Sequence, residues 1–368
     1  MSVGDGFPDW DNQSPPPRDL STGAPAVPRW SQAPPAGPRP VRGRPAPTWG
    51  LVDAIAADLA PQPVAPPRGW RRWIHNGTFG VVTLGPSSEE LRRRELAETI
   101  RSPLRGHFKI GTVGKGGVGK TRVAVGVGSI FAEMRRSDRV VAVDADPAFG
   151  KLGSRIDPAA PSAFRVLSAG RPLETFAELR NHLGSNAAGL FVVAGQSGPP
   201  RWALNSVTYR RAAAQLDRHF TISIVDCGST LDSAVTREAM RDFDALIVVA
   251  SPRVDGVSTA LEKLQWLAGH SMEGLLQRTV IALNHSDGHA DKDTREMWLR
   301  ELLGWGLPAV EVPFDPHLRA GGVIDVAEAM APATRQRFIE IAAVIAQHFA
   351  DTAPTRAQPP RWFWRSSG

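Results

Sequence analysis

Cysteine occurs once in the 368 residues, at Cys227. A single thiol excludes an internal disulfide and fits a reducing cytoplasm. Lysine is scarce too: it stands only at positions 109, 115, 120, 151, 263 and 292, although Lys and Arg together number 43. The positive charge is therefore almost all arginine. Two of the six lysines fall inside one short glycine-rich stretch, Gly114 to Thr121, so lysine is not general surface filler. No stretch approaches the ~18–20 consecutive apolar residues that span a bilayer. Met1 to Trp10 lacks a basic segment followed by an apolar run, so no secretory signal is expected.

What is present supports a soluble, cytoplasmic α/β protein. Apolar residues make up 42%, enough for a sizeable core, and charged residues 22%, an ordinary soluble value. The length suits one large domain or two ordinary ones. The net charge of +6 attracts nucleic acid, anionic membrane or acidic partners without choosing among them.

The chain divides by composition. Residues 1–68 hold half of the 32 prolines and read as a disordered Pro/Ala/Arg-rich arm. Such an arm suits recruitment of a protein partner. Within it, Leu51 to Leu59 has amphipathic helical spacing, either a docking peptide or a fleeting helix. Residues 69–106 form a transition. It contains the Trp/Arg cluster Gly69 to Trp73, a strand at Phe79 to Leu84 and a helix at Ser87 to Ile100 with an acidic first turn. The cluster suits nucleic acid, a membrane surface or packing on the next domain. Residues 107–350 form the main domain, and 351–368 an aromatic, basic tail.

From His107 onward the pattern alternates. β-Branched runs occur at 107–113, 139–145, 190–194, 220–226, 245–250, 279–284 and 309–312. Helical patterns occupy 119–135, 174–183, 205–218, 231–241, 255–268, 293–303 and 333–349. Strands alternating with helices predict a doubly wound, mostly parallel sheet with helices on both faces.

One motif carries the chemistry. The strand from Phe108 to Val113 runs into Gly114-Lys115-Gly116-Gly117-Val118-Gly119-Lys120-Thr121, and a helix follows. This is the G-x-x-x-x-G-K-[ST] phosphate loop in the context it requires. The glycines let backbone N–H groups face phosphate oxygens, and the helix adds its positive end. Lys120 is expected to reach the β- and γ-phosphates of ATP, and Thr121 to place its hydroxyl on Mg²⁺. Asp144 and Asp146 end the second strand and Asp226 ends a later one. All three lie at the carboxyl edge, where open α/β sheets bind ligands. Asp226 and Asp144 suit Mg²⁺, a hard cation that takes oxygen ligands. Asp146 suits either the orientation of an attacking water or a structural cap. Cys227 reads as packing.

The loop KGGVGKT, with the D-x-D-P of Asp144 to Pro147, resembles the MinD/ParA family of P-loop ATPases. By that resemblance Lys115 is the deviant lysine that reaches across an ATP-dependent homodimer. Asp146 is then the water-orienting acid. Asn284 matches the adenine-reading asparagine, and Val312-Pro313-Phe314-Asp315 the loop over the base. Arg122 stands where the family usually has a second Thr or Ser near the α-phosphate. The family's proline-containing segment after the Walker B acid is here Cys227-Gly228-Ser229-Thr230, where Gly228 still offers an N–H to the γ-phosphate. Both departures bear on hydrolysis more than on binding, so a slow ATPase is expected. The Pro-rich arm, then G-W-R-R and R-S-P-L-R-G-H-F, further resembles the EspI-type ATPases that accompany type VII (ESX) secretion in actinobacteria.

Smaller signals stay open. His285 and His289 sit four apart around Asp287, but Asn284 to His289 reads as a loop beside the base rather than a metal site. Arg210, Arg211, Arg335 and Arg337 suit either a nonspecific DNA surface, as in a ParA-type partition ATPase, or ordinary scattered charge. Pro359 to Arg365 suits peripheral contact at the inner face of the membrane, docking on a partner, or packing on the domain. A nucleotide-sensing scaffold with negligible turnover is the rival to an ATPase.

Overall fold

The computed structural model describes residues 88–147, 150–169, 171–195, 204–286, 288 and 292–351. The arm 1–68 with Leu51 to Leu59, the Trp/Arg cluster, the expected strand at Phe79 to Leu84, His289 and the C-terminal tail lie outside the described residues.

Among the described residues, eight strands form one sheet: β1 (Phe108–Gly114), β2 (Val140–Ala145), β3 (Gly184–Ser185), β4 (Leu190–Val193), β5 (Ile222–Cys227), β6 (Ala245–Ala250), β7 (Thr279–Asn284) and β8 (Ala309–Val312). Their order is β3-β4-β2-β5-β1-β6-β7-β8. Every pairing is parallel except β3 with β4. The expected doubly wound parallel sheet is therefore what forms.

Strand periodicity sorts the core into two layers. Ile110, Val140, Ala142, Ile222, Ile224, Ala245, Ile247 and Val249 face one layer. Val113, Val141, Val143, Val225, Leu246 and Val248 face the other. Both sets are apolar, which is what burial on two faces demands. The first layer is closed by α1 (Ser88–Ile100), α2 (Lys120–Met134), α3 (Leu152–Ile156), α11 (Pro316–Arg319) and α12 (Pro332–Ala346). The second is closed by α4 (Phe164–Ser168), α5 (Phe176–Arg180), α6 (Ser206–Leu216), α7 (Ala234–Met240), α8 (Val254–Gly269), α9 (Glu273–Leu276) and α10 (Lys292–Leu303).

The helix expected over 174–183 is shorter than its pattern. A capping box between Thr175 and Glu178 starts α5. It ends at Arg180, because Gly184 and Ser185 pair antiparallel with Val192 and Phe191 at the sheet edge. The helix α1 packs on α2 and α12. Ile100 is fully buried, and Arg135 donates to the carbonyls of Ile100 at 2.6 Å and Ser102 at 2.7 Å.

At the crossing of α2 and α12, Gly126 permits a close approach. A Cβ there would lie 2.4 Å from the ring of Phe338, itself fully buried. Gly126→Leu therefore forces the ring aside. The expected destabilisation is about 3 kcal/mol, or a fall of about 10 °C in melting temperature. A thermal melt with an unchanged midpoint would show that the crossing relaxes freely.

Candidate functional site

Three strand ends carry the sequence-selected residues to one edge of the sheet. Register aligns them: Thr112 pairs with Asp226, and Asp226 with Asp144, on adjacent parallel strands. Thr112, Asp144 and Asp226 continue the period-2 face of Ile110, Ala142 and Ile224, the face that α2 covers. Thr121, in the first turn of α2, thus comes down onto Asp226. Its hydroxyl donates to Asp226 Oδ2 at 2.6 Å, and the Thr112 hydroxyl donates to Oδ1 at 3.2 Å.

Residues 114–119 curl between β1 and α2. Gly119 caps the helix with φ 95°, a left-handed value that favours glycine. A Cβ there would also strike Asn284 Nδ2 at 2.3 Å. Asn284 is buried at the end of β7, and its amide donates to the Val118 carbonyl at 2.7 Å. The asparagine therefore clamps the loop. Lys120 Nζ donates to the Lys115 carbonyl at 3.2 Å, folding its side chain back over the loop. The Lys115 side chain points out of the loop to an ion pair with Asp255, in the first turn of α8. Arg122 lies against Gly119 in the first turn of α2.

Asp144 and Asp226 are both buried. Burial first, and the neighbouring Asp226 second, push the Asp144 carboxyl up to about 7. Burial pushes Asp226 up to about 6, against the hydrogen bond from Thr121 and the charge of Lys120. Asp144 accepts from the backbone N–H of Asp146 at 3.3 Å and of Leu152 at 3.1 Å. Asp146 is half-buried and lies beside Gly228: a Cβ built on Gly228 would be 3.5 Å from Asp146 Oδ1. Cys227 points into the opposite layer, and burial drives its thiol well above the usual range, so it stays protonated and inert.

The segment after β8 is organised by Asp315. Its carboxylate accepts from His317 N at 2.9 Å and Ala331 N at 3.0 Å, so it caps α11 and ties the start of α12. Pro313 and Phe314 are half-buried beside it. His285 is buried, with its ring against Glu311 at 2.6 Å, while its backbone N–H bonds to Val312. No group of three His, Cys, Asp or Glu side chains placed to hold a metal ion occurs among the described residues. Arg210 pairs with Glu238, Arg335 with Glu133 and Arg337 with Glu340, so these three charges are met within the chain. No described helix is long and apolar enough to cross a membrane.

Composition and periodicity did not single out Thr112, Asp255 or Lys263. Lys263 donates to the Ser229 carbonyl at 2.8 Å, just past Asp226. A charged residue within an otherwise apolar helical stripe was the available signal for it.

A phosphate loop at the centre of a doubly wound sheet, with acids at the ends of the next two strands to one side, β5 and β2, defines a P-loop nucleotide-binding protein. The chain belongs to the CobQ/CobB/MinD/ParA nucleotide-binding domain family, whose model matches residues 110–356. Among curated proteins it is 30% identical over 287 residues to the ESX-1 secretion-associated protein EspI of Mycobacterium tuberculosis, from strains CDC 1551 and H37Rv. That match covers 77% of this chain and 42% of the relative, so the chain spans less than half the relative's length. Among solved structures, the ParA family ATPase from Chlorobium tepidum TLS shares the fold. The TM-score is 0.52 at 20% identity, over 64% of this chain and 98% of that one.

Proposed function

We propose that this chain is an ATP- and Mg²⁺-dependent switch that hydrolyses ATP slowly and pairs with a second copy of itself while ATP is bound. The observation that carries this reading is the contact of Thr121 with Asp226, directly beneath a loop whose extra lysine, Lys115, projects outward. In this reading the backbone of residues 114–121, Lys120 and Thr121 hold the phosphates, with Arg122 near the α-phosphate. Thr121, Asp144 and Asp226 hold Mg²⁺. Their donor set fits: a hydroxyl and two adjacent buried carboxylates are oxygen ligands whose negative charge a hard dication compensates. When bound, Mg²⁺ neutralises phosphate charge that would otherwise oppose attack on the terminal phosphorus.

The remaining roles follow from position. Asp146, beside Gly228, orients water. Gly228 gives its N–H to the terminal phosphate. The amide nitrogen of Asn284 is engaged with Val118, so its side-chain oxygen is the atom that meets an adenine amine. The carboxylate of Asp315 is engaged with two backbone groups, so base contact from Pro313 to Asp315 comes from backbone and ring rather than from that charge.

The relatives' description as ESX-1 secretion-associated supports placing the switch at a type VII secretion apparatus, which it would regulate or energise from the cytoplasm. The Pro-rich arm would recruit the partner. A DNA-coating role has less support, because Arg210, Arg335 and Arg337 are already paired with acids.

Phosphate release tests the enzyme. Wild type is expected to turn over slowly, and Asp146→Ala to fall by at least ~10-fold with ATP affinity unchanged, as removal of a water-orienting group does. Equal release by both proteins, with ATP still bound, would replace the ATPase by a nucleotide-sensing scaffold.

A further inference from the structure

Lys263 stands where an apolar residue belongs. The buried stripe of α8 runs Gly256, Val257, Ala260, Lys263, Leu264 and Leu267, the spacing that lays a helix on a sheet. Lys263 is only 6% exposed, and no carboxylate pairs with it among the described residues. Burying an ammonium is costly unless its hydrogen bonds are directed to something. Burial, and then the charge of Lys120, lower its proton affinity. Its partner is the Ser229 carbonyl at 2.8 Å.

That carbonyl belongs to the stretch Cys227-Gly228-Ser229-Thr230, which has no proline to stiffen it. Gly228 is buried beside Asp146, whereas Ser229 and Thr230 are exposed. A glycine followed by two exposed residues has backbone freedom that something must restrain. Lys263 reaches the stretch from the layer that α8 covers, while Lys120 begins α2 on the opposite face of the sheet. The segment immediately after Asp226 is thus fixed from beneath by one side-chain hydrogen bond.

We propose that Lys263 is a positioning residue of the nucleotide site: by holding the Ser229 carbonyl it aims the Gly228 N–H at the terminal phosphate, and so makes the site prefer a nucleoside triphosphate to a diphosphate. This rests on the nucleotide-switch reading above. Because the diphosphate lacks the group that Gly228 addresses, loss of the tether weakens triphosphate binding selectively. A purely structural lysine would weaken both nucleotides alike.

Titration calorimetry of full-length wild type, Lys263→Met and Lys263→Arg with Mg²⁺ plus ATPγS or ADP tests this. Lys263→Met suits the apolar stripe and is expected to keep its ADP affinity within ~2-fold while losing ~10-fold of its triphosphate preference, the worth of one charge-assisted hydrogen bond. Lys263→Arg keeps charge and donors and is expected to recover most of that preference. Hydrogen exchange of the amides at 228–233 in nucleotide-free Lys263→Met is expected to quicken. Should the Met variant not fold, Lys263→Gln, too short to reach the carbonyl, carries the same expectation. Equal wild-type affinity for the two nucleotides, or an unchanged preference and unchanged exchange in the variant, overturns the proposal and leaves the nucleotide site standing. A wild type that binds neither nucleotide removes the underlying reading and this one with it.

Discussion

Asp226→Asn is expected to make the nucleotide-free protein more stable and the Mg²⁺-nucleotide complex at least ~100-fold weaker, beyond what is usual for loss of an outer-shell metal partner. The two effects have one cause. Asp226 is 3% exposed, and burial raises its carboxyl from 3.8 to about 6. A folded-state value above the unfolded one means that the native protein binds the proton more tightly. Its stability contribution is complete below pH 3.8 and is lost as pH rises through about 6. At pH 7.5 the native state therefore carries a charge that burial opposes. Asparagine removes that charge without stranding a partner. Its oxygen still accepts from one threonine. Its amide donates to the other, and Thr112 already has the Val225 carbonyl at 3.2 Å as an alternative acceptor. A shift of this size has a ceiling of about 3 kcal/mol, and coupling to Asp144 leaves an expected gain of about 1–2 kcal/mol, or about 3–5 °C. The gain should shrink from pH 6 downward and vanish near pH 4, the window of the cited shift. With Mg²⁺ and ADP at ~100 times the dissociation constant, wild type gains about 2.7 kcal/mol from ligand and the variant almost none, so the order of the two melting curves reverses. Thermal melts at pH 5 to 8, with and without Mg²⁺·ADP, read this directly. A variant that melts lower without nucleotide at pH 7.5 would mean that the two threonine hydrogen bonds outweigh the buried charge.

The sheet was legible because its central strands are buried on both faces. Ala245–Ala250 and Thr279–Asn284 form where the β-branched runs lie, since unbroken apolar runs of four to six residues leave little freedom of register, and the edge strand Ala309–Val312 forms at its own run although Glu311 interrupts it. The helices α3, α4 and α11 were not legible. With five residues or fewer they show no period, and α11 depends on Asp315 capping a proline at its first position. The two-residue strand β3 exists only because β4 offers it an edge. At the site, spacing placed the loop and the three aspartates at one sheet edge, and register explains why Asp144 and Asp226 lie level. What spacing did not give was the set of side chains that hold these residues in place. Thr112 beneath Asp226, Asn284 on Val118 and Lys263 on Ser229 join residues 34 to 166 positions apart, so no local pattern announces them. Lysine scarcity was a further hint: beyond the two in the loop, Lys109 and Lys263 prove to be buried.

Lys115→Ala is expected to abolish ATP-dependent pairing of two copies, weakening it by more than ~100-fold, whereas Asp255→Ala is expected to strengthen it by up to ~5-fold. The asymmetry comes from where Lys115 rests. Its ammonium is ion-paired to Asp255 on the same chain, and both side chains are well exposed, at 40% and 62%. The hydrogen bond from Lys115 holds the Asp255 carboxyl below the usual carboxylate range. Solvent screens an exposed pair of this kind, so it parks the lysine without locking it. In a nucleotide sandwich the same ammonium would face the partner copy's phosphates, where water is excluded and a charge-assisted hydrogen bond is worth far more. Removing Asp255 lowers the cost of releasing Lys115 by a small amount. Removing Lys115 would delete the proposed cross-chain contact itself. The effect of Asp255→Ala should also fade at high salt, because screening weakens the parked pair in wild type. Light scattering after gel filtration, with Mg²⁺·ATP and Mg²⁺·ADP, distinguishes the cases. A dimer seen only with ATP, lost in Lys115→Ala and tighter in Asp255→Ala, makes the ion pair a resting position for the dimer lysine. A wild type that stays monomeric with either nucleotide removes the sandwich, and the Lys115–Asp255 pair then fixes the mouth of a site that reads nucleotide within a single chain.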